Sequence, residues 1–404
     1  MDEILFLAHR IPFPPNRGDK MRSWNVLRHL GARARVHLAT FADDAADAAQ
    51  IGPLREAMGG TLGEAIVAPV TRNRMAWAGR ALIRREPITV AAYHSPAVHG
   101  FVRRILAERP IASIYAFSVQ MAQFIPLAGA PRFVMDFVDF DSAKYADYAA
   151  GGQWPRRWLN KREAATLQVL ERATAERADV GLFVSGAEAE MFERSAGPEG
   201  ADIRALQNGI DLDHYDEKAD FAPLAEPPAG PLLVFTGQMN YRPNVEGMVE
   251  FAQNVLPLVR AARPDVRFAV VGRHPAPAIA ALAGRDGTIV TGEVTDVRPW
   301  LVAATLVVAP LAIARGVQNK VLEAMAMGRP VVASPGAWLG IDAEPGRDLI
   351  VADGARAQAD AILSLLGDPA RAAAIGKAAR RRMEEGYSWD AQLAPLAAML
   401  GLAA

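Results

Sequence analysis

The chain has 404 residues, more than one domain usually holds, so two domains are expected. Hydrophobic residues at 51% and charged residues at 22% allow a sizeable core and exclude global disorder, and a net charge of −1 excludes a chain-wide attraction to nucleic acid. The absence of cysteine excludes disulfides, thiolate metal sites and a cysteine nucleophile, and it fits a reducing compartment.

The opening MDEILFLAHR has an acidic flank and a short apolar run, without the basic region and length of a signal peptide. Strands are predicted at Ile4–His9, Val36–Phe41, Ser113–Val119, Phe133–Asp139 and Val180–Ser185, alternating with helical stretches. From Asn208 to Gly230 the text is acidic, proline-containing and without helical period, so it reads as a linker. The alternation then restarts with strands at Leu232–Gly237, Arg267–Gly272, Thr288–Gly292, Thr305–Leu311, Val331–Ser334 and Leu349–Val351. Apolar strands spaced by helices argue for parallel sheets covered on both faces, and two such sets give two doubly wound α/β domains. The expected division is 1–207, a linker at 208–230, 231–383, and a C-terminal helix at 384–404 packing back toward the first domain. The longest apolar run, WLVAATLVVAPLAIA at 300–314, is too short to span a bilayer and is broken by Thr305 and Pro310. A cytoplasmic chain is expected, one that can still sit on the inner face of a membrane.

Ligands of doubly wound sheets bind at the carboxyl ends of the strands, so the loops after each strand carry the functional reading. At 311–332 the sequence is LAIARGVQNKVLEAMAMGRPVV. Gly316 precedes a predicted helix over Val317–Met327, and Gly328 suits its left-handed end. A helix starting at a strand's carboxyl end aims free N–H groups and positive dipole at the site, which suits a diphosphate. Positions 316, 319, 320 and 323 share one helical face, so Glu323 is placed to accept hydrogen bonds from vicinal hydroxyls such as those of a ribose. Geometry alone leaves open an ordinary helix in which Glu323 is solvated or pairs with Arg329.

The stretch GVQNKVLEAMAMGRPVVAS resembles the signature of retaining glycosyltransferases of family 4, which have the GT-B fold. The resemblance covers essentially the whole chain. It implies two Rossmann-like domains facing each other across a cleft, with a nucleotide-sugar donor on the second and an acceptor on the first. In that family two glutamates stand eight positions apart; the second falls on Glu323, where ribose binding is implied, and the first falls on Arg315. The family's first loop in the second domain carries an Arg and a Lys on the donor diphosphate. The matching stretch, GQMNYRPN, has Gln238 and Pro243 there, with Arg242 adjacent, while Arg315 and Lys320 are gained. Compensation of charge between the two loops is the expectation. The donor pocket is thus expected to hold Gly237, Gln238, Arg242, Gly316, Gln318, Asn319 and Glu323, with Val294 and Val297 beside the base as the fold implies. HRIPFPPNRGDKMRSWNVLRHL, MDFVDFDSAKYADYA and FTGQMNYRPNVEGM, with the 311–332 loop, resemble more narrowly the sugar transferases of exosortase-linked exopolysaccharide systems.

After the first strand, prolines stiffen a loop and Gly18 opens a helix. By itself this is a basic helix start in solvent; the resemblance makes it the acceptor-side glycine loop, where Arg17, Gly18 and Lys20 would hold an acceptor phosphate. Asp136, Asp139 and Asp141 cluster after the strand ending near Asp139. The D-x-D pattern of Asp139 and Asp141 matches a metal site of a different glycosyltransferase fold and is discounted here, so no metal is expected. Asp139 is read as accepting from the acceptor hydroxyl, or it caps the next helix, as does Asp141. His9 ends the first strand and is more simply structural.

TRNRMAWAGRALIRRE at 71–86 interleaves five arginines with Met75, Trp77, Leu82 and Ile83, and QWPRRWLNKRE at 153–163 repeats the style. Such segments suit an anionic membrane surface, or are simply solvated helix faces; no nucleic-acid module is visible. The expectation is a metal-independent hexosyltransferase that moves a sugar from a nucleotide sugar to a glycan or lipid-linked glycan in exopolysaccharide synthesis. Asp139, Arg315 and Lys320 are its catalytic groups, and the nucleotide sugar is a substrate, with no cofactor. A sugar-nucleotide epimerase of the same fold and a non-catalytic partner subunit are the alternatives.

Overall fold

The computed structural model describes residues 2–70, 74–151, 154–311 and 317–402. Two compact units result: Met1–Asn208 with Gln392–Ala404, and Gly209–Ala391.

The first unit is built on β1 (Glu3–Ala8), β2 (Arg35–Ala42), β3 (Leu62–Pro69), β4 (Ile111–Phe117), β5 (Arg132–Val138), β6 (Val180–Phe183) and β7 (Ile203–Ala205), in the order β3-β2-β1-β4-β5-β6-β7. The second contains β8 (Leu232–Thr236), β9 (Arg267–Val271), β10 (Thr288–Gly292), β11 (Leu306–Ala309), β12 (Val331–Ala333) and β13 (Ile350–Val351), in the order β10-β9-β8-β11-β12-β13. Every neighbouring pair runs parallel. The central strands are buried on both faces, which is why they read as unbroken apolar runs. In each unit the strand order reverses at one place, between β1 and β4 and between β8 and β11, and there the loops part to leave a crevice.

Two strands go beyond the sequence reading. β3 pairs with β2 although Gly63 and Glu64 interrupt its apolar run, and β7 is a three-residue, largely exposed edge strand. Both lie at the rim of the sheet, where one-sided burial weakens the apolar signal. The helix predicted over 317–327 runs over Asn319–Ala326 and is followed by Gly328 at φ 65°. No helix among the described residues is long and apolar enough to cross a membrane.

The acidic segment after Asn208 has no regular helix or strand beyond a bridge from Ile210 to Ser388, yet it is anchored. Leu212, Tyr215 and Phe221 pack against the core of the second unit. The Arg380 guanidinium donates to the carbonyls of Tyr215 and Ala326, both at 2.7 Å, and of Leu212 at 3.3 Å. In the first unit, Arg132 Nε donates to the Met399 carbonyl at 2.6 Å and ties down the C-terminal residues.

At the heart of the first unit lies an ion pair that sequence reading did not single out. Arg22, on the helix Gly18–Gly31, donates from Nε and Nη2 to Asp136 at 2.8 and 3.2 Å, and both side chains are almost fully buried. Its Nη1 donates to the Leu206 carbonyl at 2.7 Å and to Asn208 Oδ1 at 3.0 Å. The Tyr115 hydroxyl also donates to Asp136; burial, with the Asp136 charge, pushes that phenol well above its usual range and keeps it protonated. Removing one partner of a buried pair leaves an uncompensated charge, a loss of about 3–5 kcal/mol. Arg22→Met is therefore expected to lower protection of the β1, β4 and β5 amides in hydrogen exchange, with the second unit unchanged.

Candidate functional site

In the second unit the crevice after β8 is shaped by two glycines. Gly237 (φ 156°) ends β8 and Gly272 (φ 152°) ends β9; a Cβ on Gly272 would stand 1.7 Å from the Gly237 oxygen. A side chain on Gly237 would press on Asn244 and Lys320. The two turns therefore lie in backbone contact. Asn244, buried on the helix Arg242–Glu250, donates to the Gln238 carbonyl at 2.9 Å and accepts from Lys320 Nζ at 2.8 Å. The Lys320 ammonium also lies 4.9 Å from the centre of the Phe235 ring. Burial lowers Lys320 to about 8, with Glu323 acting in the opposite direction.

Glu323 stands one turn further along the same helix. Burial pushes its carboxyl up, against the opposing pull of the Tyr215 hydroxyl, which hydrogen-bonds to it, and of Lys320. The alternative pair with Arg329 does not form: Arg329 reaches Glu217 at 2.6 Å. Tyr215 is held protonated by burial and by the Glu323 charge. Its neighbour His214 meets it edge-on with ring centres 4.9 Å apart, and the His214 carbonyl accepts from Arg298 at 3.1 Å. Arg298 in turn grips Asp296 and lies 4.7 Å from the Phe221 ring. Val294 and Val297 flank this group, half-buried against the core.

Of the residues singled out in this unit, Gly237, Lys320 and Glu323 are drawn together, with Asn319 on the exposed first turn of the helix and Gln318 just before it. Gln238 contributes its backbone while its side chain is exposed. Arg242 is mostly exposed and bound to Glu246 at 2.7 Å. Arg315 and Gly316 lie outside the described residues. Asn244, Tyr215 and Gly272 were missed; the signal for Asn244 was a polar residue on the buried side of a helix, and for Tyr215 an aromatic inside an acidic stretch.

In the first unit a cavity of about 500 Å³ opens at the ends of β1, β4 and β5. Asp19 is its charged hub, bound by Arg10 at 2.8 Å and Arg17 at 2.9 Å, with His9 at 3.6 Å. Burial alone would raise Asp19, but hydrogen bonds from His9 and Arg10 hold it well below the carboxylate range. Ser118 (φ 75°) and Val138 (φ 70°) both adopt left-handed backbone at this rim. That is strained for a β-branched valine, and strain of this kind gathers at ligand sites. Val138 N–H is held by Asp136 Oδ1 at 3.1 Å.

Asp139 is exposed at the cavity edge, with Lys144 Nζ at 4.0 Å from it and 3.5 Å from Asp141. Burial raises Asp141, and it raises Glu188 to about 7 and Glu171 to about 8. The expectation for Arg17 and Lys20 changes: Arg17 faces Asp19, and Lys20 is buried on Asp47 at 2.5 Å, because the helix turns that side inward. Gly18 is exposed with open space around it. The cations that do line the cavity are Arg10, just after the first strand and beside His9, and Lys144.

Residues 230–368 match the family model described as "Glycosyl transferases group 1". D-inositol 3-phosphate glycosyltransferase of Rhodococcus opacus (strain B4) is 26% identical over 247 residues, 56% of this chain and 54% of that protein. The matched stretch thus spans about half the length of that curated relative. Sucrose-phosphate synthase from Thermosynechococcus elongatus superposes with a TM-score of 0.66 at 19% identity, covering 99% of this chain and 98% of that one. HepE from Anabaena, solved in complex with UDP, superposes with a TM-score of 0.67 at 15% identity over 99% and 100%. TarM does so with a TM-score of 0.66 at 12% identity over 99% of each. At such identities the likeness is one of fold.

Because a Cβ at Gly272 collides with backbone, Gly272→Ala is expected to cost about 2–3 kcal/mol, read as a melting temperature about 5–10 °C lower for the second unit. The chain has the GT-B fold from end to end, and residues 230–368, in its second unit, match the group 1 glycosyl transferase family model.

Proposed function

We propose that the protein is a retaining glycosyltransferase of family 4 that moves a sugar from a nucleotide sugar to a glycan or lipid-linked glycan in exopolysaccharide synthesis. The observation that carries this reading is the Gly237–Asn244–Lys320–Glu323 arrangement at the β8/β11 crevice, inside the region that matches the group 1 family. A buried lysine beside a helix start suits a diphosphate, and an enclosed carboxylate one turn away suits a pair of ribose hydroxyls. Asn319, Gln318, Gly316 and Arg315 complete the donor loop in this reading, and Val294 and Val297 border the base. HepE has been solved with UDP and with UDP-glucose, which makes UDP the first nucleotide to try.

The acceptor enters the first-unit cavity, where Asp139 accepts from its hydroxyl and Arg10 meets negative charge. The anomeric carbon–oxygen bond to the diphosphate breaks, the acceptor oxygen bonds to that carbon, and the acceptor proton passes to the leaving diphosphate. Lys320 steadies the charge that develops there. No metal takes part in this scheme.

Calorimetric titration with UDP, GDP, ADP and dTDP is the test. One nucleotide should bind, and Glu323→Ala should weaken it about 10–100-fold, the value of one or two hydrogen bonds to a charged group. Undiminished binding in the variant would remove Glu323 from the site. No nucleotide binding would favour a non-catalytic partner subunit.

The depressed Lys320 gives a pH signature. In the free protein the lysine loses its proton near pH 8, and a bound diphosphate draws it back to the charged form. Binding above pH 8 thus takes up a proton, and affinity should fall about tenfold from pH 7 to pH 9. Lys320→Met should abolish that dependence.

A further inference from the structure

The first unit carries exposed apolar side chains that its own fold does not use. Ile83 is 85% exposed and Leu82 53%, at the end of the helix Arg74–Arg84. Trp154 is 84% exposed, Trp158 56% and Leu159 41%, at the start of the helix Arg156–Ala175. These two groups form one patch. Arg162 Nη2 donates to the Ala81 carbonyl at 2.7 Å and to the Glu86 carbonyl at 3.1 Å, which sets the second helix against the end of the first. Trp158 and Leu159 lie one turn before Arg162, and Leu82 and Ile83 directly follow Ala81.

The charges divide by position. Arg162 and Arg80 build the scaffold, Arg80 through Glu86 at 2.7 Å. Arg84, Arg85, Arg156, Arg157 and Lys161 are exposed and make no ion pair among the described residues. Five unpaired cations around two tryptophans and three aliphatic side chains match an interface with anionic headgroups outside and acyl chains beneath. A solvated helix face does not need the tryptophans, and a nucleic acid does not need Leu82 and Ile83. The first helix also carries Trp77, which lines the cavity around Asp19, so the patch adjoins the cavity mouth.

We propose that this patch docks the protein on an anionic phospholipid bilayer. Resting on the acceptor reading above, we infer that the cavity receives the polar head of an amphiphile whose apolar part stays in that bilayer.

Co-sedimentation of the full chain with phosphatidylcholine vesicles, with and without phosphatidylglycerol, tests the docking. Retention on the anionic vesicles should exceed that on neutral ones by about tenfold or more, and should fall as salt rises. The double variant Ile83→Asp/Trp158→Asp should lower it by about tenfold or more, with circular dichroism and nucleotide affinity unchanged. Equal retention on both vesicles, no retention, or a variant that binds like wild type would overturn the proposal. So would tighter binding to a single-stranded RNA oligonucleotide than to the anionic vesicles. Nucleotide titration on the same preparations separates the two readings: vesicle binding without nucleotide binding sinks the donor site and leaves the docking surface standing.

Discussion

The first unit depends on a charge pair sealed from water. Arg22 and Asp136 join the first helix to the central strand β5, and the remaining guanidinium N–H groups reach the last residues of the unit, Leu206 and Asn208. Taking two such ions out of water is costly, and the cost is met because four of the five guanidinium N–H groups and both carboxylate oxygens are hydrogen-bonded. Asp136 does more than neutralise. By accepting from the Val138 N–H it stabilises the left-handed turn after β5, and that turn aims the following residues at the cavity. The cavity walls are thus set by a pair that never touches the cavity.

The second unit handles charge in the opposite way. Its crevice holds a lysine and a glutamate that burial drives toward their neutral forms, each with one hydrogen-bonded side-chain partner among the described residues, Asn244 for Lys320 and Tyr215 for Glu323. Such groups are held ready for a ligand that brings counter-charge and donors of its own. In the first-unit cavity Arg10 is already paired with Asp19, and Lys144 lies beside Asp139 and Asp141.

Much of this was legible in the sequence because the physics is local. Strands buried on both faces announce themselves as apolar runs, and a glycine such as Gly328 marks a helix end. β3 and β7 escaped because rim strands need not be apolar. The acidic stretch after Asn208 looked like free linker, since composition does not reveal that Arg380 gathers its carbonyls or that Tyr215 lies against Glu323. Lys20 looked like a ligand group until the helix phase turned it onto Asp47. The partners of Asn244 and Arg22 escaped for the same reason: they lie far off in sequence, at Lys320 and Asp136.

The two sheets share one strand order up to the sixth strand, so each unit has its crevice at the same topological address. This gives the chain an evolutionary freedom, because each crevice is built by the loops of its own unit. Changes in the loops after β1, β4 and β5 can reshape one crevice while leaving the β8 and β11 loops intact, and the reverse holds equally. Divergence among proteins of this architecture can therefore proceed one half at a time. Recombination of halves is the natural route to new pairings of crevices.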